Sequence, residues 1–417
     1  MKRQYLLAII TLLIGGLAAY ACGDDDDGGG EGFAFGLRAE TVVADGFADS
    51  VSAIAFAPDG RIFFAEQFKG TIRIVNADGT LQADPFTQIA VADWLGQDWG
   101  LTGLALDPDF NSNHYVYAFY TEFVRTATFN NDAGEPVQHD VARPKIVRLT
   151  ESGGRGQDLT VISDDFPETS ELAPGYNASG ELHFGPDGFL YASVGDYDLF
   201  DKDAEMITDL GTPVGKLLRM TSDGAAAPGN PLEDDETADP RIFAYGFREP
   251  FPFTFSSDGS AFGTDNTTIS CEELNAIEPG GYYGWPEMGD FPFDNCLAAP
   301  GIQAIYRFSR EGLEPNAFVS FVEVSGLSFL SNSPYALLPD SLIVCESQKG
   351  AAADGSQSDG VLRALTMTGE QVTASDVIVA SCFGEARVSP DGTVYYATRT
   401  ELRRLVDDPA ALAPNPF

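Results

Sequence analysis

The sequence predicts an all-β fold, a six-bladed β-propeller of four-stranded antiparallel blades, and two repeating observations predict it. The first is a Pro-Asp-Gly turn, or a near variant, between a short apolar run and an apolar or aromatic strand. It recurs at Pro58-Asp59-Gly60, Pro108-Asp109, Pro186-Asp187-Gly188, Asp258-Gly259, Pro339-Asp340 and Pro390-Asp391-Gly392. Proline presets the first turn angle and glycine takes the positive one, so each copy reads as a β-hairpin. The second is an alternating strand after each hairpin, usually with a basic residue: 71–75, 145–149, 216–220, 273–277, 361–365 and 401–405. Units of roughly fifty to eighty residues are too small to bury their own apolar faces, so the six share one core around an axis. A two-sheet sandwich is the competing architecture.

In chain order, the first segment is no part of that ring. Lys2 and Arg3 precede an apolar stretch from Leu6 to Ala19, and Ala19-Tyr20-Ala21 has the small-x-small form of a cleavage site. Residues 1–21 therefore read as an export signal, too short to favour a permanent membrane span. Cys22 stands where bacterial lipoproteins carry their lipidated cysteine, and the Asp/Gly-rich stretch 22–36 resembles their tethers, although that family prefers leucine at the position of Ala19 and a small residue at Tyr20. This implies a lipid-anchored protein of the periplasm or cell surface. Residues 37–410 are assigned to the propeller, with 351–360 as a loop insertion within a blade.

Removing Cys22 leaves four cysteines, an even set suited to an oxidising compartment. The expected pairs are Cys271–Cys296 and Cys345–Cys382, with four buried thiols as the alternative. A formal charge of −39, from 63 acidic against 24 basic residues, excludes a nucleic-acid partner and disfavours anionic membrane surfaces. The acidity suits an exported, soluble surface, and calcium binding through hard oxygen ligands is the functional alternative.

Generic motifs are absent: there is no His-Glu-x-x-His, Cys-x-x-Cys, phosphate loop or Gly-x-Ser-x-Gly. Of the three histidines, His183 lies inside the third hairpin's apolar strand and reads as structural. The acidic string Asp196, Asp198, Asp201, Asp203 is either a cation clasp or a solvated loop.

Longer strings carry more. The segments 99–110, 184–196, 215–219, 244–250 and 280–286 occur in an order that resembles the soluble quinoprotein glucose dehydrogenase and aldose sugar dehydrogenase family, the glucose/sorbosone dehydrogenases, from about residue 40 to 406. The resemblance implies a propeller that binds pyrroloquinoline quinone (PQQ) and calcium in its axial mouth and oxidises the C1 hydroxyl of aldoses. That chemistry needs a general base, calcium to polarise the quinone, and cations to neutralise its carboxylates.

Position by position, the family's catalytic histidine falls on Asn177, and Glu181 replaces an arginine. Asparagine has no proton-accepting nitrogen and cannot be the base. Arg248 matches the family arginine of the cofactor and substrate region, but Glu249 replaces the asparagine after it. Lys349 matches the cofactor lysine. The paired arginines fall on Cys382 and Gly384, with Arg387 nearby in another register, and a family glutamine falls on Asp98, one residue from Gln97. Thr267 and Thr268 align with the residues whose carbonyls hold the catalytic calcium, and Glu273 and Tyr283 match ligands of a structural calcium.

Two readings follow: a sugar dehydrogenase with a rearranged site, in which Arg248, Lys349 and Arg387 hold the cofactor, or a propeller that kept its scaffold and binds carbohydrate or protein without redox chemistry. Hydrolytic or lactonase chemistry is a more distant third. Trp99, Tyr282, Tyr283 and Trp285 stack on sugar under either of the first two, or serve only as blade packing.

Overall fold

Each predicted turn closes a hairpin whose first strand is the innermost of a blade, and the alternating strand after it is the third. The computed structural model describes residues 33–44, 50–92, 99–130, 134–169, 177–178, 180–199, 204–266, 272–286, 300–308, 322–347 and 360–410. The strand β1 (Leu37–Ala44) precedes the first full blade, which is β2 (Val51–Phe56), β3 (Ile62–Glu66), β4 (Thr71–Val75) and β5 (Thr87–Gln88). The second is β6 (Leu101–Leu106), β7 (Tyr115–Asn130), β8 (Pro136–Ser152) and β9 (Arg155–Ser163), and the third β10 (Leu182–Phe184), β11 (Leu190–Val194), β12 (Lys216–Met220) and β13 (Ile242–Tyr245). The fourth is β14 (Phe253–Phe255), β15 (Ala261–Asp265), β16 (Glu273–Ile277) and β17 (Tyr306–Arg307). The fifth is β18 (Glu323–Leu330), β19 (Ser341–Ser347), β20 (Gly360–Thr368) and β21 (Gln371–Cys382).

The sixth blade runs β22 (Ala386–Val388), β23 (Val394–Ala397) and β24 (Glu401–Asp407), and its outermost strand is β1, in register from Leu37 opposite Asp407 to Ala44 opposite Glu401. Both ends of the ring are thereby tied together in one sheet. The result is the expected six-bladed propeller of four-stranded antiparallel blades.

The second strand of a blade is covered on both faces by its neighbours, and β3, β11 and β15 are accordingly buried along their whole length. Between blades the core is aromatic. Phe63, braced edge-on by Phe86 of its own blade, meets Phe110 of the next edge-on, Tyr117 meets Phe184, and Phe262 stacks on Phe329. Burying one such ring is worth about 1.5–3 kcal/mol, so these rings fix the angle between blades. Lys216 is wholly buried, its Nζ donating to the carbonyls of Ile207 and Val214, and burial brings its pKa down to about 8. Among the described residues no helix is long and apolar enough to cross a membrane.

Candidate functional site

Hairpin turns end the innermost strands at one mouth of the axis, and the segments that enter those strands gather at the other. Asn177 precedes β10, Asp196 follows β11, Arg248 and Glu249 precede β14, and Asn266 follows β15. Asn177 is buried at 2% exposure with φ 53°, a left-handed conformation that asparagine tolerates. Its neighbour must be glycine: a Cβ on Gly195 would lie 1.9 Å from the Asn177 carbonyl oxygen.

Asp196 is the hub of this cluster. Its Oδ1 accepts from Asn177 Nδ2 at 2.9 Å and from the Asp198 amide at 2.8 Å, and its Oδ2 accepts from Trp285 Nε1 at 2.9 Å. Burial raises its pKa against those donors and the nearby Arg248. The Asp196 amide in turn donates to the Arg248 carbonyl at 2.7 Å.

Arg248 is 3% exposed and braced from below. Its Nη1 donates to the Asn266 carbonyl at 3.0 Å, while the amides of Arg248 and Glu249 donate to the Asp265 carboxylate at 3.0 and 2.7 Å. Burial works against its charge, yet Asp196 and Glu249 hold its pKa above the ordinary value. Glu249 Oε2 and Asp198 Oδ1 lie 3.8 and 3.9 Å from the guanidinium. Asp265 is pushed up to about 8, by burial above all.

A second cluster occupies the shaft between the two mouths. Arg387 Nη2 donates to Glu181 Oε1 and, at 2.9 Å, to Glu385 Oε2, and its Nη1 donates to His183 Nε2. Glu181 Oε2 accepts from the Phe253 amide at 2.8 Å, tying the third blade to the fourth. Burial raises the pKa of Glu181, but Arg387 overcomes it and holds the carboxyl at about 2; burial pushes Glu385 up to about 8.

These positions revise several sequence expectations. Arg387, expected to help hold a displaced cofactor, is clasped by Glu181 and Glu385 in the shaft and does not join Asn177 and Arg248. Glu273 pairs with Arg307 at 3.0 Å, and the Tyr283 hydroxyl donates to the Ala276 carbonyl and accepts from the Glu278 amide, with its ring stacked on Phe247. Among the described residues no three acidic, histidine or cysteine side chains converge to hold a metal. Cys345 and Cys382 form the expected disulfide, with Cα atoms 5.7 Å apart. Gly384 has φ 90°, and a Cβ there would sit 2.3 Å from the Val51 carbonyl oxygen, so an arginine has no room. His183 is packed and hydrogen-bonded, as expected of a structural imidazole. Cys22, Asp98, Gln97, Asp201, Asp203, Thr267, Thr268, Cys271, Cys296 and Lys349 lie outside the described residues.

Asp265, Glu385 and the indole N–H of Trp285 were missed as site groups. Asp265 ends the strand Ala261–Asp265, and a carboxylate closing an otherwise apolar strand is the signal that pointed to it.

Comparison with known proteins agrees with this architecture. The chain is 28% identical over 284 residues to quinoprotein glucose dehydrogenase B of Acinetobacter calcoaceticus, spanning 63% of this chain and 56% of that protein, little more than half its length. It is 24% identical to the aldose sugar dehydrogenase YliI of Escherichia coli over 83% of this chain and 86% of that one. The PQQ-bound aldose sugar dehydrogenase of Streptomyces coelicolor superposes with a TM-score of 0.62 over 90% of this chain and 99% of that one, at 21% identity, a likeness of fold. The glucose/sorbosone dehydrogenase profile matches residues 48–406, and the chain belongs to that family.

Proposed function

We propose that the protein is an exported, lipid-anchored propeller that takes a small sugar at the mouth carrying Asn177, Asp196 and Arg248, in a family whose reaction is oxidation of an aldose at its C1 hydroxyl with PQQ and calcium. The observation that supports this most is Arg248, kept in type at the family position, buried, and braced toward that mouth by Asp265 and Asn266. A guanidinium and an amide oxygen, on residues tied to one buried carboxylate, suit the donor and acceptor faces of sugar hydroxyls.

The described residues do not fit a triply anionic quinone in the family's pose. Arg248 already faces Asp196, Asp198 and Glu249, the paired arginine positions are a disulfide cysteine and a crowded glycine, and Arg387 is occupied. Charged hydrogen bonds are worth about 1.5–3 kcal/mol each, so losing two of them and adding Glu249 weakens such a complex by orders of magnitude. Aldose oxidation by this chain therefore depends on an oxidant held differently from the family's. Sugar binding without oxidation is the second reading, and Asn177 favours it, because its amide oxygen accepts a hydrogen bond from a hydroxyl but does not take the proton.

The test is reconstitution of the purified protein with PQQ and calcium and a panel of aldoses. A shifted quinone absorbance with dye reduction supports oxidation. Saturable sugar binding in calorimetry without dye reduction supports the second reading, and neither signal overturns both.

A further inference from the structure

The shaft cluster spans the axis. Arg387 stands on β22 of the sixth blade, and its partners Glu181 and His183 stand at the start of β10 in the third, the opposite blade in a ring of six. Glu385, just before β22, accepts from the same Nη2 as Glu181, at 2.9 Å. Both carboxylates are buried, at 1% and 0% exposure.

Glu181 also joins the segments that carry the Asn177 mouth. It follows Asn177 by four residues, and its Oε2 accepts at 2.8 Å from the amide of Phe253, five residues after Arg248. Its own amide donates to Ser193 Oγ at 3.0 Å, and the Ser193 amide donates to the Glu181 carbonyl at 3.2 Å, on the strand that leads to Asp196. A shift of Glu181 is therefore felt at the supports of Asn177, Asp196 and Arg248 together.

Two buried carboxylates thus share one guanidinium, and among the described residues the other titratable group facing them is His183, kept neutral by burial and by Arg387. Like charges in one low-dielectric site do not both ionise near neutral pH, so the pair keeps a proton. Arg387 and the Phe253 amide make Glu181 the ionised member, and the proton stays on Glu385, which burial pushes up to about 8. We propose that this cross-axis clasp is a proton-linked device that positions the Asn177 mouth. With the proton in place Arg387 anchors Glu181 and through it both site segments; without it Glu385 competes for the guanidinium and the segments loosen. The bearing of this device on a ligand rests on the reading of that mouth as a sugar site, whereas its geometry does not.

Hydrogen exchange of the ligand-free protein tests the geometry. Residues 180–184 and 248–253 are expected to lose about fivefold or more in protection, relative to intrinsic rates, between about pH 6 and about pH 9, the lower end of ordinary coupling between sites. Glu385→Gln, which stays neutral and leaves Asp265 unaltered, is expected to keep that protection. Equal exchange of the two proteins in those segments at about pH 9 overturns the proposal, as does exchange there no faster than in β3, which would make the loss one of the whole fold. Calorimetry of D-glucose binding in buffers of different ionisation enthalpy tests the bearing on the site. Reciprocity between linked sites requires the unaltered protein to take up a fraction of a proton at about pH 8 and none at about pH 6, and Glu385→Gln to take up none at either. The same uptake by both proteins overturns control of the site by Glu385. An exchange difference without glucose binding removes the sugar reading and supports the positioning device.

Discussion

Asn177 donates its side-chain amide to Asp196 at 2.9 Å, joining the segment before β10 to the one after β11. The bond uses the amide nitrogen to satisfy a fully buried carboxylate, so Asn177 serves the scaffold whatever it does for a ligand. Asn177→Ala is expected to cost about 1–3 kcal/mol by leaving Asp196 short of a donor. Urea denaturation measures this, and a change below about 0.5 kcal/mol, the level of an ordinary surface substitution, would mean that water replaces the amide.

Gly384 stands where an anion-clamping arginine is expected, and its backbone forbids the exchange. Gly384→Ala is expected to destabilise by at least about 2 kcal/mol, since it adds a backbone collision to the strain of a positive φ. Gly79→Ala, at φ 83° with nothing within 4 Å, isolates the strain alone, about 1 kcal/mol. Equal losses at the two glycines in thermal melts would remove the steric argument.

The disulfide closes a sequence separation of 37 residues. Loop-closure entropy for that length gives about 4 kcal/mol of stabilisation. Replacing Cys345 and Cys382 together by serine is expected to lose about that much, and reductant is expected to lower the melting temperature of the parent but not of the variant.

Asp265 and Glu385 both have folded pKa values pushed up to about 8, by burial first of all. Their protons are kept in the folded state but lost near the ordinary carboxylate value in the unfolded chain. The stability they confer is therefore complete below about pH 4 and is lost as pH rises toward about 8. Glu181, held at about 2, runs the other way: its contribution is present above about pH 4 and disappears as pH falls through about 2. Asp265→Asn is expected to flatten the decline between pH 5 and 8 in denaturation profiles, and an unchanged slope would show that Asp265 is ionised in the fold.

The ring was legible because its evidence is periodic: the turns after Phe56, Leu106, Phe184, Phe255, Leu330 and Val388 repeat one local chemistry, and each expected third strand lies within an observed one, although β8 extends nine residues further toward its start. Parity pointed to disulfides without choosing among the three ways of pairing four cysteines, and Cys345–Cys382 is one of the two pairs expected. The site was legible only by position. Asn177 and Arg248 were singled out from the string, and the fold ties both to Asp196, but the bond from Trp285 to that carboxylate crosses from the fourth blade to the third and leaves no mark in a linear string. Arg387 was misjudged for the same reason, since Glu181 is 206 residues away and only folding brings the two side chains together.

The strand β1 has a consequence for biogenesis. Glu40 meets Arg404 across a separation of 364 residues, so the earliest-made strand of the circle waits for nearly the last before it finds its place. Until Glu401–Asp407 leaves the ribosome or the translocation pore, the nascent polypeptide exposes an unpaired edge at each end and cannot lock. Secretion in an unfolded form is thus compatible with this topology: closure is deferred by connectivity itself, and a truncation that removes either terminal strand leaves an open arc prone to self-association.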